Sequence, residues 1–503
     1  MGIVVRQSAK NLVVVVTGAV LGASLLWIST KFNSKQQYGS IGTLTIYAVL
    51  ASQILLFGLS NTLAVYAHRF ANDPKKKKLL LTFCLTLPAL ITTLCIIPYY
   101  LLRGWIFKQF QPEDVPFIQH YFMWLPLYTI LWIYMIVLEQ YLGSQLKVAV
   151  SVFMREVVVR IANITLVLLF GFNYIDFNTL VIGTIVIYFI PVTLFFWLAT
   201  RTKDFGLSFN FSDFSRADYK EVLHFSWYHF LMNLSILLMG YLDQALLPIY
   251  DKSGFSSVAI YRVAIFFISF LMMPSKALIP ASFAVMARAF TDGDHEKAKD
   301  IYVRATINIL ITTVGVAVLL CCNLQNAVAV IKNGYSDIIP VFLILFIGTL
   351  INIITGMNDQ VLSITNYYKF NFYLALGITA VLYLMLRFLI PVYGVYGAAW
   401  GSAIALTVFS IFKSLFVWKK LNMVPYTNKT ILVFIAAVPA LAAGYFFPYF
   451  FEPSRHVYVH SFFDAIMRST VIVIVYGGML LWLKPSGDLE EYIGSVRKNK
   501  RLF

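Results

Sequence analysis

Charged side chains interrupt several long apolar stretches of this chain, and they are its best candidates for chemistry. Arg155, Glu156 and Arg160 fall together in one stretch, while Lys276 stands in another with no carboxylate nearby in the sequence. A charge near the centre of a bilayer costs ~2.5–3.5 kcal/mol even on insertion scales, so such a residue usually faces a wet cavity or a partner. These residues predict a polar interior in an otherwise apolar chain.

Residues four apart lie on one face of a helix, and this spacing separates structural charges from candidate binding charges. Glu156 and Arg160 have this spacing and can neutralise each other, which leaves Arg155 unbalanced. Asp464 and Arg468 share the spacing, and we interpret them as a structural ion pair. Arg155 is therefore a candidate for binding an anion, with Arg160 as a further candidate beside it.

Lys276 lies between Pro274 and Pro280, and Arg262 precedes it by fourteen residues. On one continuous helix the two cations would lie about 40° apart around the axis and ~21 Å apart along it. One face with cations at two depths suits a path for an anion. The alternative for Arg262 is that its long side chain reaches the membrane interface.

Two further helical faces carry small polar and acidic side chains. They are His229, Asn233, Gly240 and Asp243 on one face, and Asn352, Gly356 and Asp359 on the other. Asp243, Asp359 or the Glu156 carboxylate could carry a coupling H⁺ or Na⁺, or could neutralise a nearby Lys or Arg. Lys413, near the end of its apolar stretch, is interpreted as an interface anchor.

The elements that must position these residues are membrane helices. A helix needs roughly 20 apolar residues to cross a bilayer core, and backbone groups in lipid must be satisfied internally. The chain is 60% hydrophobic and 12% charged, with a mean hydropathy of +0.77. We predict an all-α polytopic membrane protein with fourteen spans, at 11–30, 41–67, 79–102, 118–140, 148–170, 178–200, 223–248, 258–286, 303–323, 336–362, 370–390, 395–418, 430–450 and 461–483.

The distribution of positive charge predicts the orientation. A net charge of +16 would suggest nucleic acid in a soluble chain, but here Lys and Arg concentrate in alternate connecting segments. Lys75–Lys78 and the tail around Arg497–Arg501 are examples. Both termini are therefore expected in the cytoplasm, and no nucleic acid partner is expected. The first apolar run is too long for a cleavable signal peptide.

An amphipathic linker divides the predicted spans. We predict an N-terminal lobe at 1–200 with six spans, a cytoplasmic linker at 201–222 and a C-terminal lobe at 223–418 with six more. A helix pair at 419–483 and a basic cytoplasmic tail at 484–503 follow. Because both lobes begin on the same side, they would be parallel repeats about an axis normal to the membrane.

Nothing in the sequence favours an enzyme. Cys84, Cys95, Cys321 and Cys322 all fall within spans and are interpreted as packing residues without a disulfide. Metal-ligand clusters, phosphate-binding glycine loops and nucleophile motifs are not found. The longest connecting segments are too short to form a catalytic domain. We expect a transporter without catalytic residues, metal or cofactor.

Three stretches carry a family resemblance. VRQSAKNLVVVVTGAVLGA near the N-terminus, PSKALIPASFAVMARAFTDGDHEKAKDIY at Pro274–Tyr302 and PVYGVYGAAWGSA at Pro391–Ala403 resemble segments of Wzx-type polysaccharide flippases. These flippases form a branch of the multidrug/oligosaccharidyl-lipid/polysaccharide (MOP) superfamily. The division into six, six and two spans extends the resemblance over the whole chain.

The resemblance implies a V-shaped, MATE-like bundle of two lobes around a central cavity in the bacterial cytoplasmic membrane. It implies movement of undecaprenyl-diphosphate-linked oligosaccharide from the inner to the outer leaflet, for O-antigen, capsule or exopolysaccharide. A diphosphate in a low-dielectric cavity needs fixed cations, and Lys276, Arg155, Arg160 and Arg262 are the candidates. Coupling to an H⁺ or Na⁺ gradient and contact with polysaccharide polymerase machinery are further expectations.

Two other functions of the same superfamily remain as alternatives. A lipid II flippase for peptidoglycan precursors shares the need for a cationic site. An H⁺- or Na⁺-coupled multidrug exporter would instead need an acidic pocket for organic cations. Glu156, the candidate carboxylate of the first lobe, lies beside two arginines, which argues against the exporter.

Overall fold

The protein is all-helical in the part of the chain that the computed structural model describes. Those residues are 2–70, 72–145, 148–202, 205–331, 334–365, 367–448 and 457–488. Part of the predicted linker, 203–204, and most of the predicted basic tail, 489–503, lie outside them. The chain forms two compact units, Met1–Ala259 and Ile260–Phe503. The division into lobes at the linker stays a prediction.

Unit 1 begins with twelve α-helices, and α13 runs across its boundary with unit 2. The helices are α1 (Gly2–Phe32), α2 (Lys35–Leu56), α3 (Leu59–Arg69), α4 (Pro74–Leu101), α5 (Arg103–Phe107), α6 (Val115–Tyr121), α7 (Trp124–Ser144), α8 (Val148–Phe153), α9 (Val159–Gly171), α10 (Phe177–Val186), α11 (Phe189–Thr200), α12 (Arg216–Tyr250) and α13 (Phe255–Leu271). A π-helical turn at Met154–Val158 joins α8 to α9, and a short 3₁₀ turn lies at Phe211–Asp213.

Unit 2 continues with eight helices. They are α14 (Met273–Thr291), α15 (His295–Ala329), α16 (Ile338–Ile354), α17 (Asn358–Ile364), α18 (Tyr368–Tyr393), α19 (Val395–Leu421), α20 (Asn428–Tyr445) and α21 (Val457–Leu483). Helices α18 and α16 both pack on α19, while α20 and α21 pack together against α15.

The helices account for the predicted spans. Ten helices of the described chain, with α10 and α11 taken together as one, are long and apolar enough to cross a membrane, or up to twelve if each of two bent pairs is one span. The bent pairs are α13 with α14 and α16 with α17. The two other predicted spans, 11–30 and 148–170, coincide with α1 and with the α8, π-turn and α9 segment. The fold class predicted from the sequence is confirmed.

Helix ends follow local sequence signals. The Ser34 side chain accepts from the backbone N–H of Gln37, whose own side chain accepts from the Ser34 N–H, and this capping box starts α2. The Asp73 carboxylate caps α4, with Pro74 at its first position. These caps satisfy N–H groups that have no partner within a helix.

Within unit 1, α7 is the central helix. It packs against α2, α3, α4 and α11, while α1 packs against α9 and the π-helical turn. Large apolar side chains on α7, including Tyr128, Leu138 and Tyr141, are almost fully buried. This packing places the end of α7 beside the π-helical turn, where Glu139 of α7 meets Arg155.

Candidate substrate-binding site

The charged residues predicted in the fifth span form a network of two arginines and two carboxylates. Arg155 Nη1 lies 3.0 and 3.3 Å from the two oxygens of Glu139 on α7, and Arg155 Nε lies 3.3 Å from Glu156 Oε1. Arg160 Nη2 lies 2.5 Å from Glu156 Oε2 and Nη1 donates to the Gly18 carbonyl. The predicted Glu156–Arg160 ion pair is confirmed.

The π-helical turn and a glycine on α1 make this network possible. The Val159 N–H bonds to the Met154 carbonyl, so the helix widens where Arg155 and Glu156 reach α7 and α1 respectively. Such turns are frequent at functional sites. A Cβ at Gly18 would lie 2.8 Å from Glu156 Cβ, closer than real Cβ contacts. Only glycine therefore lets α1 approach the turn this closely.

Arg155 is not left unbalanced, contrary to the expectation from local spacing. Its partner Glu139 lies sixteen residues earlier on another helix, so the i,i+4 rule did not find it. A carboxylate at the end of an apolar span was the available signal. The Arg155 side chain is still 46% exposed, whereas those of Glu139 and Glu156 are about one-fifth exposed. The role of Arg155 and Arg160 in binding substrate stays a prediction.

Lys276 lies in the first turn of α14, just after a break in the predicted eighth span. The break falls at Met272, α13 and α14 are bent by 44°, and Pro274 occupies the start of α14. Proline cannot donate a backbone hydrogen bond and disfavours helical geometry in the residue before it, which explains the break. Lys276 is exposed, and within the described residues it makes neither an ion pair nor a side-chain hydrogen bond.

The break corrects the expected geometry of Lys276 and Arg262. Arg262 lies on α13, so the two cations do not share one face of a straight helix, and the 40° separation does not apply. Arg262 is half-buried and has a polar or electrostatic partner. Of these two predicted cations, Lys276 is the one available to an anion.

Asp359 forms an ion pair with Lys413. Lys413 Nζ lies 2.7 Å from Asp359 Oδ2 and 4.0 Å from the centre of the Phe409 ring. The Lys413 side chain is only 2% exposed, so it is a buried partner and not an interface anchor as the sequence had suggested. Of the two roles predicted for Asp359, coupling-ion carrier or charge balance for a nearby cation, the ion pair with Lys413 fits the second. Its role as a coupling site stays a prediction.

The second predicted polar face is split by a helix break. Gly356 has φ of +77°, and α16 and α17 meet there at 46°. The buried Asn358 side chain bonds to the Tyr302 hydroxyl, the Ser414 hydroxyl and the Thr355 carbonyl, at 2.7–2.8 Å. Three helices thus meet at one amide, which fixes the break in place.

Asp243, the other predicted acid, is buried on α12. Its Oδ1 accepts from the Gln244 backbone N–H at 2.7 Å, and it has a further partner. His229 on the same helix lies against the Phe225 ring, and its buried Nδ1 has no hydrogen-bond partner among the described residues. The coupling role predicted for Asp243 stays a prediction.

The predicted Asp464–Arg468 pair is confirmed as a buried structural pair. Arg468 Nε lies 3.0 Å from Asp464 Oδ2, and Nη2 lies 3.2 Å from Oδ1. The other Arg468 amine donates to the Gly444 carbonyl on α20, and Asn326 on α15 donates to Asp464. The pair therefore joins α15, α20 and α21.

A further carboxylate of unit 1, Asp114, holds three segments together: its own segment before α6, the start of α2 and the start of α13. We call this set of contacts the latch at Asp114. It accepts from Gln36 Nε2 at 3.1 Å and from the Phe255 backbone N–H at 2.9 Å. Burial raises the pKa of Asp114, aided by the nearby Glu113 charge, although both hydrogen bonds act in the opposite direction. A Cβ at Gly39 would overlap the Phe255 carbonyl oxygen. Sequence reasoning had not identified this latch.

A cavity in unit 2 lies away from the residues that the sequence predicted for the site. A cavity of about 380 Å³ lies where α14, α17 and α19 end, beside His295, Thr365 and Tyr367. It includes none of the predicted site residues. In the described part of the chain, no group of three or more His, Cys, Asp or Glu side chains could hold a metal ion.

The fold defines the class of protein that this chain resembles. It is similar to an inward-facing multidrug resistance MATE family transporter of the MOP superfamily, with a TM-score of 0.65 and 16% identity. That comparison covers 82% of this chain and 98% of the transporter. A MOP superfamily transporter from Pyrococcus furiosus is also similar, with a TM-score of 0.55 and 16% identity over 84% of this chain and 96% of the other.

A particular flippase is also similar over nearly its whole length. The lipid II flippase MurJ, in an inward closed conformation, has a TM-score of 0.74 and 13% identity, covering 93% of this chain and 99% of MurJ. No protein-family model matches the sequence, and no curated protein matches it. At these identities the comparisons show the fold, which is that of MOP superfamily transporters.

Proposed function

We propose that this protein is a flippase for undecaprenyl-diphosphate-linked oligosaccharide repeat units in the bacterial cytoplasmic membrane. It would move them from the inner to the outer leaflet for surface polysaccharide biosynthesis, by alternating access. The observation that carries the proposal is Lys276, an exposed cation within an apolar bent helix and without an ion-pair partner among the described residues. An unpaired charge in such a place is costly unless it binds a ligand of opposite charge.

The substrate class is the one that the resemblance to Wzx-type flippases implies, and the charge of its headgroup supports the proposal. A diphosphate diester brings about two negative charges into a low-dielectric site and needs fixed cations there. Its polyprenyl tail can remain in lipid while the headgroup crosses. An inside-negative potential then favours outward movement by ~2.3 kcal/mol per uncompensated charge per 100 mV. Resetting of the empty carrier can be coupled to an H⁺ or Na⁺ gradient.

The charges of unit 1 argue against a multidrug exporter. An organic cation needs an unpaired carboxylate, but Glu139 and Glu156 are both paired with arginine. A lipid II flippase is the second candidate, and the fold similarity to MurJ over 93% of this chain favours it. Lipid II and a polysaccharide repeat unit share the diphosphate, so the two candidates differ in the sugar headgroup.

The test is flipping by purified full-length protein in proteoliposomes. We expect protein-dependent loss of an undecaprenyl-diphosphate glycolipid from the accessible leaflet, slowed about tenfold or more in Lys276→Ala because a charge-assisted contact is lost. Lys297→Ala is the matched control, since that lysine is exposed at the start of α15. Lipid II and an organic cation are the comparison substrates.

The outcomes separate the candidates. Preference for lipid II over several polysaccharide-type headgroups would move the second candidate ahead. Transport of the organic cation alone would refute a diphosphate substrate. Equal flipping by Lys276→Ala and Lys297→Ala would retain the flippase and refute Lys276 as its anion site.

A further inference from the structure

The charge network of unit 1 contains as many carboxyl groups as guanidinium groups. Two guanidinium groups, Arg155 and Arg160, face two carboxylates, Glu139 and Glu156, at 2.5–3.3 Å. A diphosphate entering this network would therefore meet two cations that already have anionic partners. For Arg155 to bind a diphosphate, a carboxylate must give way.

The geometry indicates which arginine can exchange partners. Arg160 is held by Glu156 and by the Gly18 carbonyl, where α1 lies in close contact with the π-helical turn. Arg155 contacts only carboxylates and is the more exposed, at 46% against 29%. Arg160 is thus tied to the helix packing, whereas Arg155 can turn toward a new anion without breaking a contact to the backbone.

The geometry also indicates which carboxylate yields. Glu156 is shared between both arginines, with its shorter contact to Arg160. Glu139 has Arg155 as its one partner among the described residues, at 3.0 and 3.3 Å. A proton from water that converts the Glu139 carboxylate to the neutral acid removes one negative charge and leaves Arg155 with only the 3.3 Å contact to Glu156.

We propose that Glu139 is a built-in competitor for Arg155, and that binding of the lipid diphosphate displaces it with uptake of one proton. The inference rests on the proposed function and assigns a regulatory residue to the candidate anion site of unit 1. The diphosphate oxygens take the place of the Glu139 oxygens on the Arg155 guanidinium, and the proton is carried by Glu139. No bond other than the O–H bond of that acid forms or breaks.

The groups that face this network are few in the described chain. Helix α7 supplies Glu139, the π-helical turn supplies Arg155 and Glu156, and α9 supplies Arg160. Helix α1 supplies the Gly18 carbonyl, and α8 is apolar apart from Ser151. Glu139 and Glu156 are therefore the two carboxylates of this network among the described residues, and of the two only Glu139 lacks a second arginine.

The experiment measures equilibrium binding of radiolabelled undecaprenyl-diphosphate N-acetylglucosamine to the full-length protein in nanodiscs. We expect wild-type affinity to fall by roughly tenfold as the pH rises from about 5 to about 8, since bound protein holds one more proton. Glu139→Gln should bind about tenfold more tightly than wild type near pH 8 and equally near pH 5, because glutamine removes the competing charge. Arg155→Gln should bind weakly at both pH values.

The matched control is Glu221→Gln, which removes an exposed carboxylate paired with Arg69 in the same unit. We expect it to keep the wild-type pH dependence. Glu139→Gln with wild-type affinity and pH dependence would overturn the competitor role while leaving the flippase in place. No binding by folded wild type at any pH would refute the proposed function, and with it this inference.

Discussion

The buried ion pair of α21 gives a sharp test of how unit 2 is held together. In Arg468→Met the long apolar side chain fills most of the space of the arginine stem but leaves Asp464 without its cation. Asp464 is 4% exposed and, among the described residues, would keep the Asn326 amide as its one side-chain partner. Removing one partner of a buried pair costs about 3–5 kcal/mol, because the remaining charge is desolvated without compensation.

That cost converts to a shift in melting temperature. A cooperatively unfolding domain of the size of unit 2 loses about 2 °C or more per kcal/mol, so Arg468→Met should melt at least about 6 °C below wild type. Thermal unfolding of detergent-purified protein is followed by tryptophan fluorescence. The double variant Asp464→Leu/Arg468→Met removes both charges and should recover most of the loss, since apolar replacement of a buried pair is often neutral.

Arg304→Met is the matched control. Arg304 lies on α15 and pairs with Asp300 four residues earlier, but its side chain is 53% exposed. Exposed pairs contribute little, so this variant should melt near wild type. The reasoning is refuted if Arg468→Met melts with the control, or if the double variant is no more stable than Arg468→Met.

Two further predictions concern the latch at Asp114. Asp114→Ala leaves the Phe255 N–H and the Gln36 amide unpaired, and should cost about 1–3 kcal/mol of stability, measured as a lower melting temperature against Glu113→Ala. Burial raises the Asp114 pKa above its usual 3.8. The protonated carboxyl therefore favours the folded state, and this contribution is fully present below pH 3.8. This contribution is lost as the pH rises through the raised pKa, so Asp114→Ala should also remove that fall in stability from the pH profile. Gly39→Ala should separate α2 from Phe255, because the added methyl group would overlap the Phe255 carbonyl. The measurement is chemical labelling of Gln36→Cys, which should increase in the Gly39→Ala background. Equal labelling with and without Gly39→Ala would contradict the close contact.

Local sequence patterns predicted the fold and the local ion pairs. Apolar length identified the helices, and the i,i+4 spacing correctly paired Asp464 with Arg468 and Glu156 with Arg160. These signals work because both partners belong to one helix, whose geometry is known in advance.

The contacts between helices could not be predicted in the same way. Glu139 meets Arg155, and Asp359 meets Lys413, only because separate helices pack side by side. The break at Met272, just before Pro274, also takes Lys276 off the helical face predicted for it, although the proline was visible in the sequence. Treating a proline-containing span as one straight helix was the step that failed, since proline removes a backbone donor.

Whether a cation already has a carboxylate partner decides whether it can bind a diphosphate. In unit 2, Lys413 and Arg468 already have carboxylate partners, and in unit 1 both arginines of the network do. Lys276 is then the one predicted site cation without a partner among the described residues. Within unit 1, the proposed protonation of Glu139 takes away one of the two carboxylate charges that face Arg155, so that this guanidinium can bind one charge of a diphosphate. Under the proposal, unit 1 therefore takes up about one proton for each diphosphate that Arg155 binds, since two anions facing one guanidinium in a low-dielectric site would be costly.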